Sequence, residues 1–369
     1  MIPINMPLIG DEEKNEVMKV IMSGQLTTSS IEGGQYTQKF ETSVKSFLNV
    51  KHVFALNSGT SSLYAALLSL DIQEGDEVLV PSFTFLATAN AVLLVGAKPV
   101  FVDIDLTHYT IDPKDLKNKI TVRSKAIIPV HLFGHPADMD KIMEIAQKHD
   151  LRIIEDAAQS LGAKYHEHQT GSLSDIGCFS MYPSKIITSG EGGFVSTNDD
   201  ALADKLKLIR NHGISQSSDM KILGSNLRLP QMEAAIAYIQ MSKLHSFLKV
   251  RRRNAGILND LLSGLNGITL PSEAEGCSSN WYLYTVALEK NRDKILKNLL
   301  SNRVGAAVYY DPPIQKTPFY ITAGYDKFIL PNTDNVSKRV LSLPVHPNVS
   351  EDDCVHIAST FKTALESAK

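Results

Sequence analysis

One lysine, Lys185, could form a covalent bond to a carbonyl compound. It follows the aromatic and hydroxyl-rich run Cys178-Phe-Ser-Met-Tyr-Pro-Ser and precedes a Gly-Glu-Gly-Gly turn, with no other Lys or Arg between Lys164 and Lys205. A partly desolvated lysine can be a neutral amine, the form that makes a Schiff base with an aldehyde. Since most lysines are solvated, the interpretation depends on which other residues accompany Lys185.

Residues suited to binding a flat, charged heterocycle follow two predicted strands. Asp156 ends the strand predicted at residues 152–156, where its carboxylate could pair with a protonated ring nitrogen or simply cap a turn. Gln159 comes three residues later and could exchange a hydrogen bond with the same ring. Phe85, which follows the strand predicted at residues 77–81, could stack on the ring or belong to the core.

A strand-to-helix turn contains Ser58, Gly59 and Thr60. It precedes residues 63–70, whose leucines and alanines have helical spacing. The free N–H groups and the dipole of a helix N-terminus bind phosphate, although Ser or Thr at this position also serves as a plain cap. Ser180, in the run before the lysine, adds a hydroxyl. A phosphate site, a stacking ring, an acid and an amine together are what pyridoxal 5′-phosphate (PLP) requires of a protein.

Composition limits the class of protein. The chain has 369 residues, 43% hydrophobic and 21% charged, and a net charge of −3. We therefore expect a soluble protein of two domains without the basic excess of nucleic-acid-binding proteins. Three widely spaced cysteines without a CxxC pair indicate a reducing, cytoplasmic location, and the histidines lack metal-ligand spacing, so we expect no metal. No apolar run is long enough to span a bilayer, so we expect no membrane partner.

Strands and helices alternate over the first two thirds of the chain. We expect strands at residues 53–56, 77–81, 99–104, 125–131, 151–156 and 191–197. We expect helices at residues 11–22, 37–48, 63–70, 84–95, 137–149 and 199–211. This alternation predicts an α/β fold, with a mostly parallel sheet covered by helices on both faces and ligands bound beyond the carboxyl ends of the strands.

The pattern changes after a long helix that Pro230 opens and that reaches about residue 264. Beyond it we expect strands at residues 282–288 and 306–310, with a helix at residues 292–302 between them. A loop rich in proline and aromatics at residues 311–331 and a last helix at residues 351–367 follow. The sequence therefore predicts a large domain over residues 1–245 and a smaller C-terminal α+β domain over residues 246–369.

Longer motifs support one family. They are NSGTSSL (57–63), GDEVLVPSFTFLATAN (75–90), PVHLFGHPADM (129–139), IEDAAQS (154–160), GSLSDIGCFS (171–180), GEGG (190–193) and RNHG (210–213). A chain with these motifs resembles the sugar aminotransferases of the DegT/DnrJ/EryC1/StrS family, most closely up to about residue 245. The resemblance implies a PLP transferase of fold type I, whose large domain has a seven-stranded sheet.

The resemblance also assigns roles by position. Lys185 would carry the cofactor as a Schiff base, Asp156 would contact the pyridine nitrogen, Gln159 would lie near the ring hydroxyl and Phe85 would stack on the ring. The four residues Ser58, Gly59, Thr60 and Ser180 would hold the phosphate.

Asn226 matches the family position that reaches the phosphate from the neighbouring subunit. It implies a homodimer with two shared active sites, although by itself Asn226 is typical of a turn before the helix that begins at Pro230. We expect substrate contacts from Thr28, Arg228 and Tyr310. His131 either contacts substrate or is a buried structural histidine.

Lys185 also bears on the reaction, because some family members have histidine in its place and carry out dehydration at C3 of the sugar. Lysine favours transfer of an amino group from L-glutamate to a nucleotide-linked 4-keto-6-deoxyhexose, for surface polysaccharide or secondary-metabolite synthesis. Asp311 and Gln315 depart from a Tyr-Pro-x-Pro-x-His pattern of relatives, which leaves a 3-keto sugar open. A PLP-dependent dehydratase or lyase and a catalytically silent binding protein also stay open at the level of sequence.

Overall fold

The computed structural model describes residues 1–215 and 219–368. The strands in these ranges are β1 (His52–Leu56), β2 (Glu77–Pro81), β3 (Lys98–Val102), β4 (Ser124–Ile127), β5 (Arg152–Asp156), β6 (Lys164–Tyr165), β7 (His168–Gln169), β8 (Ile176–Ser180), β9 (Gly193–Thr197), β10 (Ile268–Thr269), β11 (Cys277–Ser278), β12 (Tyr284–Leu288) and β13 (Val340–Leu343).

The α-helices come both between the strands and at the two ends of the chain. They are α1 (Asp11–Ser23), α2 (Gln35–Leu48), α3 (Gly59–Ser69), α4 (Ala87–Leu94), α5 (Pro113–Lys119), α6 (Met139–His149), α7 (Asp200–Arg210), α8 (Gln231–Leu262), α9 (Arg292–Ser301), α10 (Pro318–Thr322), α11 (Pro331–Ser337) and α12 (Glu351–Ser367). Short 3₁₀ helices lie at Leu132–Gly134 and Ile314–Lys316.

The main sheet has seven strands in the order β1-β9-β8-β5-β4-β2-β3. Strands β8, β5, β4, β2 and β3 pair in parallel, whereas β9 is antiparallel to both of its neighbours. The predicted α/β fold with a mostly parallel sheet is confirmed. Strand β8 was missed by the sequence analysis, because Gly177 in its middle weakens the strand pattern.

Helices cover both faces of this sheet. On one face α3, α4 and α7 pack against alternate strand residues such as Phe54 and Ile154. On the other face α2 and the first half of α8 pack through Phe40 and Leu244, and α5 and α6 pack beside them. Since successive strand residues point to opposite faces, Asp156 lies on the α3 and α4 side and Glu155 on the other.

The long helix α8 joins the two parts of the chain. Leu244 packs in the core of the main sheet, and Leu258 packs in the core around the three-stranded sheet β10-β12-β13. The N-terminus also contacts that second part, because Ile2 forms a bridge with Val304. The division at residue 245 falls within α8 and stays a prediction.

The prediction of a strand at residues 306–310 is wrong. Only Ala307 pairs with a strand, through a bridge to Ser342. Tyr309 and Tyr310, adjacent in the chain, both line one cavity, whereas adjacent strand residues would face opposite sides. The loop predicted at residues 311–331 contains the second 3₁₀ helix and α10. Ile314 of the 3₁₀ helix packs in the core with Phe101 of β3, and Tyr320 of α10 makes an edge contact with the Phe101 ring.

No helix within residues 1–215 and 219–368 is both long enough and apolar enough to cross a membrane.

Replacing Gly256 by alanine is expected to raise the free energy of unfolding by about 0.5–1 kcal/mol. Gly256 is exposed within α8, and in the described structure no atom beyond the local helix backbone lies within 4 Å of a Cβ added there. In contrast, a Cβ at Gly177 would lie 2.2 Å from the carbonyl oxygen of Gly171, so Gly177→Ala should destabilise the protein. Urea unfolding measures both variants, and a stable Gly177→Ala would contradict the packing around β8.

Candidate active site

A cavity of about 470 Å³ lies where several strands of the main sheet end. This volume is in the range of small-molecule sites. Its lining includes nine of the residues predicted from the sequence: Ser58, Gly59, Thr60, Phe85, Asp156, Gln159, Ser180, Lys185 and Tyr310. Because parallel strands end at one edge of a sheet, residues far apart in the sequence meet there.

One end of the cavity has the features of a phosphate site. Ser58 is the N-cap of α3 and its hydroxyl accepts a hydrogen bond from Ser61 N at 3.0 Å, so the capping interpretation is also correct. A Cβ on Gly59 would lie 2.7 Å from Ser180 Cβ. The N-terminus of α3 and the Ser180 hydroxyl therefore face each other closely, and the remaining free N–H groups of the helix suit an anion.

Asp156 is 5% exposed at the end of β5. Thr88 Oγ1 donates to its Oδ2 at 2.8 Å, and Ala158 N donates to its Oδ1 at 3.2 Å. Burial raises the pKa of the Asp156 carboxyl, while these hydrogen bonds and the nearby charge of Lys185 act in the opposite direction. A cationic ring nitrogen would compensate the burial further.

Thr88 lines the cavity but was not predicted as a site residue. It lies in the first turn of α4 and is buried against Asp156. Its signal in the sequence is weak but present: it is a hydroxyl residue between Ala87 and Ala89 in a helix that is otherwise apolar on its buried side.

His131 lies outside the lining of the cavity. It is fully buried, its Nδ1 accepts a hydrogen bond from Ala137 N at 3.0 Å, and its Nε2 therefore donates to Glu155 Oε2 at 2.9 Å. Glu155 also accepts three backbone N–H groups from residues 171–174. His131 is thus a buried structural histidine rather than a substrate contact, because both ring nitrogens are used by the protein.

The side chains of Gln159 and Tyr310 are hydrogen-bonded to each other and line the cavity together with Asp156. Gln159 Oε1 accepts from Phe133 N at 2.9 Å, and its Nε2 donates to Tyr310 Oη at 3.2 Å. Burial raises the pKa of the Tyr310 hydroxyl well above its usual range, so Tyr310 stays neutral. Phe85 is 57% exposed and only tilted against Tyr310, which leaves its ring free to stack on a ligand.

Lys185 lies in the loop between β8 and β9. Its Nζ is 5.0 Å from the centroid of the Tyr282 ring, and the Tyr282 hydroxyl lies 3.1 Å from Ser184 Oγ. Tyr282 was not predicted as a site residue, because it comes about a hundred residues after the lysine and only the fold brings the two together.

The structure does not bring Thr28, Asn226 and Arg228 to the Lys185 cavity of their own chain. Arg228 lines a separate cleft of about 590 Å³ with residues 29–32, 211–212 and 214–215, and its Nη1 donates to Asn211 Oδ1 at 2.6 Å. Asn226 is exposed, and Thr28 Oγ1 accepts from Ser30 N at 3.0 Å.

The residues around the cavity fit PLP. An amine, a buried carboxylate, a free aromatic face and a helix N-terminus with a facing hydroxyl match the aldehyde, ring nitrogen, ring face and phosphate of the cofactor. Together with the seven-stranded sheet, they define a PLP enzyme of fold type I.

Comparisons with known proteins agree with this class. The family model described as "DegT/DnrJ/EryC1/StrS aminotransferase family" matches residues 7–362. A UDP-N-acetyl-3-dehydro-alpha-D-glucosamine 3-aminotransferase from Acidithiobacillus ferrooxidans is 41% identical over 333 residues, covering 90% of this chain and 89% of that protein. A GDP-perosamine synthase from Caulobacter vibrioides is 37% identical over 339 residues, covering 90% and 91%.

Solved structures are similar over the whole chain. The crystal structure of S. venezuelae DesV has a TM-score of 0.92 at 34% identity, covering 100% of this chain and 99% of that one. The Streptococcus pneumoniae protein Spr1654 in its PLP form has a TM-score of 0.94 at 26% identity, covering 100% and 99%.

The chain belongs to the DegT/DnrJ/EryC1/StrS aminotransferase family. It is a PLP-dependent sugar aminotransferase, so the predicted family, cofactor and enzyme class are confirmed.

Replacing Ser180 by alanine is expected to weaken PLP binding about tenfold, because the variant loses one hydroxyl that faces the N-terminus of α3. Fluorescence titration of the apoprotein with PLP measures the affinity. Ser172→Ala is the matched control, since its hydroxyl donates to Gln169 O at 2.7 Å outside the cavity lining. Equal affinities of the two variants would show that Ser180 does not bind the phosphate.

Proposed function

We propose that the protein transfers an amino group from L-glutamate to a keto sugar carried on a nucleoside diphosphate. The observation that carries the proposal is that Lys185 and Asp156 meet in a cavity whose other lining is rich in tyrosines. Tyr182, Tyr309 and Tyr310 offer aromatic faces for the C–H face of a sugar and hydroxyls for its polar edge. The nucleotide is supported by relatives whose names contain nucleotide-linked sugars.

The proposed roles of the residues follow from their positions. PLP supplies an electrophilic aldehyde on an electron-withdrawing ring. Asp156 would hold the proton of the ring nitrogen, and Phe85 and Gln159 would fix the orientation of the ring. Lys185 Nζ is the only amine in the described lining, and it would act as the general base toward the α-carbon proton of L-glutamate and then as the general acid.

We infer that the preferred acceptor is a 4-keto-6-deoxyhexose, used for amino sugars of surface polysaccharides or secondary metabolites. GDP-perosamine synthases from Caulobacter vibrioides and Escherichia coli O157:H7, at 37% and 32% identity, are consistent with an amino-sugar nucleotide product. A 3-keto sugar is the second candidate, because relatives from Acidithiobacillus ferrooxidans and Streptomyces venezuelae carry position 3 in their names.

Asp311 and Gln315, which depart from the family pattern, lie outside the described cavity lining and favour neither a 3-keto nor a 4-keto sugar. Gln315 is fully buried, where its amide contacts the hydroxyl of Ser82 and Nε2 lies 3.5 Å from Asp334 Oδ1. Asp311 pairs with Arg292 Nη2 at 2.8 Å. Both residues therefore serve local packing.

The test is a panel of nucleotide-linked 4-keto and 3-keto sugars incubated with the PLP-loaded protein and L-glutamate. Mass spectrometry is expected to show an amino sugar and 2-oxoglutarate, with the 4-keto substrates turned over fastest. Lys185→Ala should lower turnover at least about 100-fold, because the proton carrier is lost. A dehydrated sugar without gained nitrogen would instead support a dehydratase, and an unchanged Lys185→Ala would overturn the proposed role of the lysine.

We also infer a homodimer with shared active sites. The described lining of the cavity has one cation, Lys185, beside the carboxylates of Asp156 and Glu191. The proposed substrates carry a diphosphate or carboxylates, so further cations are needed. Arg228 is suited to this role in a partner's site, because its Nε is buried without a partner among the described residues.

Mixing two inactive variants tests the shared sites. Lys185→Ala removes the amine, and Asn226→Asp is expected to repel the phosphate from across the dimer. If Asn226 serves the partner's site, random re-association should restore about a quarter of the wild-type activity. The reason is that about half of the dimers are mixed, and one of the two sites in each mixed dimer is intact. The control mixture of Lys185→Ala with Asp156→Asn should restore none, since both residues lie in one cavity. Equal failure of both mixtures would contradict shared sites.

A further inference from the structure

The turn that leads into β12, residues 279–283, contacts both loops that carry the proposed PLP-binding residues. Asn280, 3% exposed, donates through Nδ2 to the carbonyl oxygens of Gln159 at 2.9 Å and Leu161 at 3.0 Å. Its Oδ1 accepts from Tyr282 N at 2.9 Å. Trp281 has a φ of 54°, a conformation that a bulky residue adopts only when its surroundings hold it.

Arg251 on α8 is buried behind this turn. It is 2% exposed, and its Nη1 donates to Tyr282 O at 3.0 Å and to Trp281 O at 3.3 Å. Burial lowers the pKa of Arg251 to about 10, so the guanidinium is still charged at neutral pH. Its Nε has no partner among the described residues, and no carboxylate contributes to the pKa of Arg251.

This arrangement is unfavourable for stability alone. A buried cation without a counter-ion loses its hydration, and carbonyl dipoles replace only part of it. An apolar side chain of similar volume is often as good or better at such a position. Unlike an apolar residue, the guanidinium donates hydrogen bonds to two consecutive carbonyl groups, those of Trp281 and Tyr282.

The same turn also contacts Lys185, through the side chain of Tyr282. The Tyr282 ring lies 5.0 Å from Lys185 Nζ, and its hydroxyl lies 3.1 Å from Ser184 Oγ. The Asn5 side-chain amide donates to Ser184 O, so the carbonyl and the hydroxyl of Ser184 both have partners. A protonated nitrogen over an aromatic face is stabilised electrostatically, and the position of this ring therefore affects the charge state of the lysine nitrogen.

We propose that Arg251 is a positioning residue for Lys185, which acts by fixing the Trp281 and Tyr282 carbonyls and thereby the Tyr282 ring beside the lysine nitrogen. The inference rests on the proposed role of Lys185 as the residue that carries PLP and moves the proton. Arg251 itself does not line the cavity.

The test compares Arg251→Met with Arg253→Met in the PLP-loaded protein. Arg253 is on the same helix but is half-exposed and pairs with Glu351 Oε1 at 3.3 Å. Arg251→Met is expected to leave urea stability unchanged or higher, to lower kcat about tenfold with KM changed less than about twofold, and to lower the pH midpoint of the visible PLP spectrum by about half a unit. Arg253→Met should change none of these.

A double-variant comparison shows whether Arg251 acts through Tyr282. Tyr282→Leu should reproduce the spectral shift, and combining it with Arg251→Met should add little, because both changes remove the same contact. Arg251→Lys should restore part of the effect, since an ammonium also donates to carbonyls. Additive effects, or a loss of stability with an unchanged spectrum and kcat, would overturn the proposal.

The two proposals fail separately. A wild-type protein that shows the visible PLP band but aminates no sugar nucleotide would contradict the proposed function, while the spectral midpoints of the variants would still decide the role of Arg251.

Discussion

The buried carboxylate of Asp156 is the charge on which the cavity depends. At 5% exposure it has lost most of its hydration, and burial raises its pKa. The surroundings oppose this with hydrogen bonds from Thr88 and Ala158 and with the charge of Lys185. A cationic ring nitrogen of a bound cofactor would complete the compensation, so the surroundings of Asp156 fit a ligand that carries a positive charge at this position.

Glu155, the neighbour of Asp156 in β5, points to the opposite face of the sheet and makes structural hydrogen bonds there. Glu155 accepts hydrogen bonds from His131 and from the loop 171–174, which fixes the end of β5. Of these two consecutive carboxylates, Glu155 binds the loop 171–174 and Asp156 lines the cavity. The turn at residues 279–283 then ties the loops after β5 and β8 to α8 through Asn280, Tyr282 and Arg251.

Local patterns were enough to predict most of the main sheet and several of the residues that line the cavity. The alternation of strands and helices predicted the parallel sheet, and the helix spacing after Ser58 predicted the phosphate site, because both depend on neighbours in the chain. Strand β8 and the absence of a strand at residues 306–310 were not predictable in this way. Gly177 is in β8 because the Gly171 backbone approaches it closely, and Tyr310 leaves the strand pattern because it joins Gln159 in the cavity.

The sequence by itself determined which chemical groups are available, namely the amine of Lys185, the carboxylate of Asp156, the hydroxyl of Ser58 in the turn before α3 and the hydroxyl of Ser180 at the end of β8. The tertiary structure decided which groups meet. In the folded chain Thr88 contacts Asp156 and Tyr282 contacts Lys185. His131 lies outside the cavity lining, and Arg228 lies in a separate cleft. The physical reason is that side-chain direction at a sheet edge depends on strand register and on packing between distant segments, which local residue patterns do not contain.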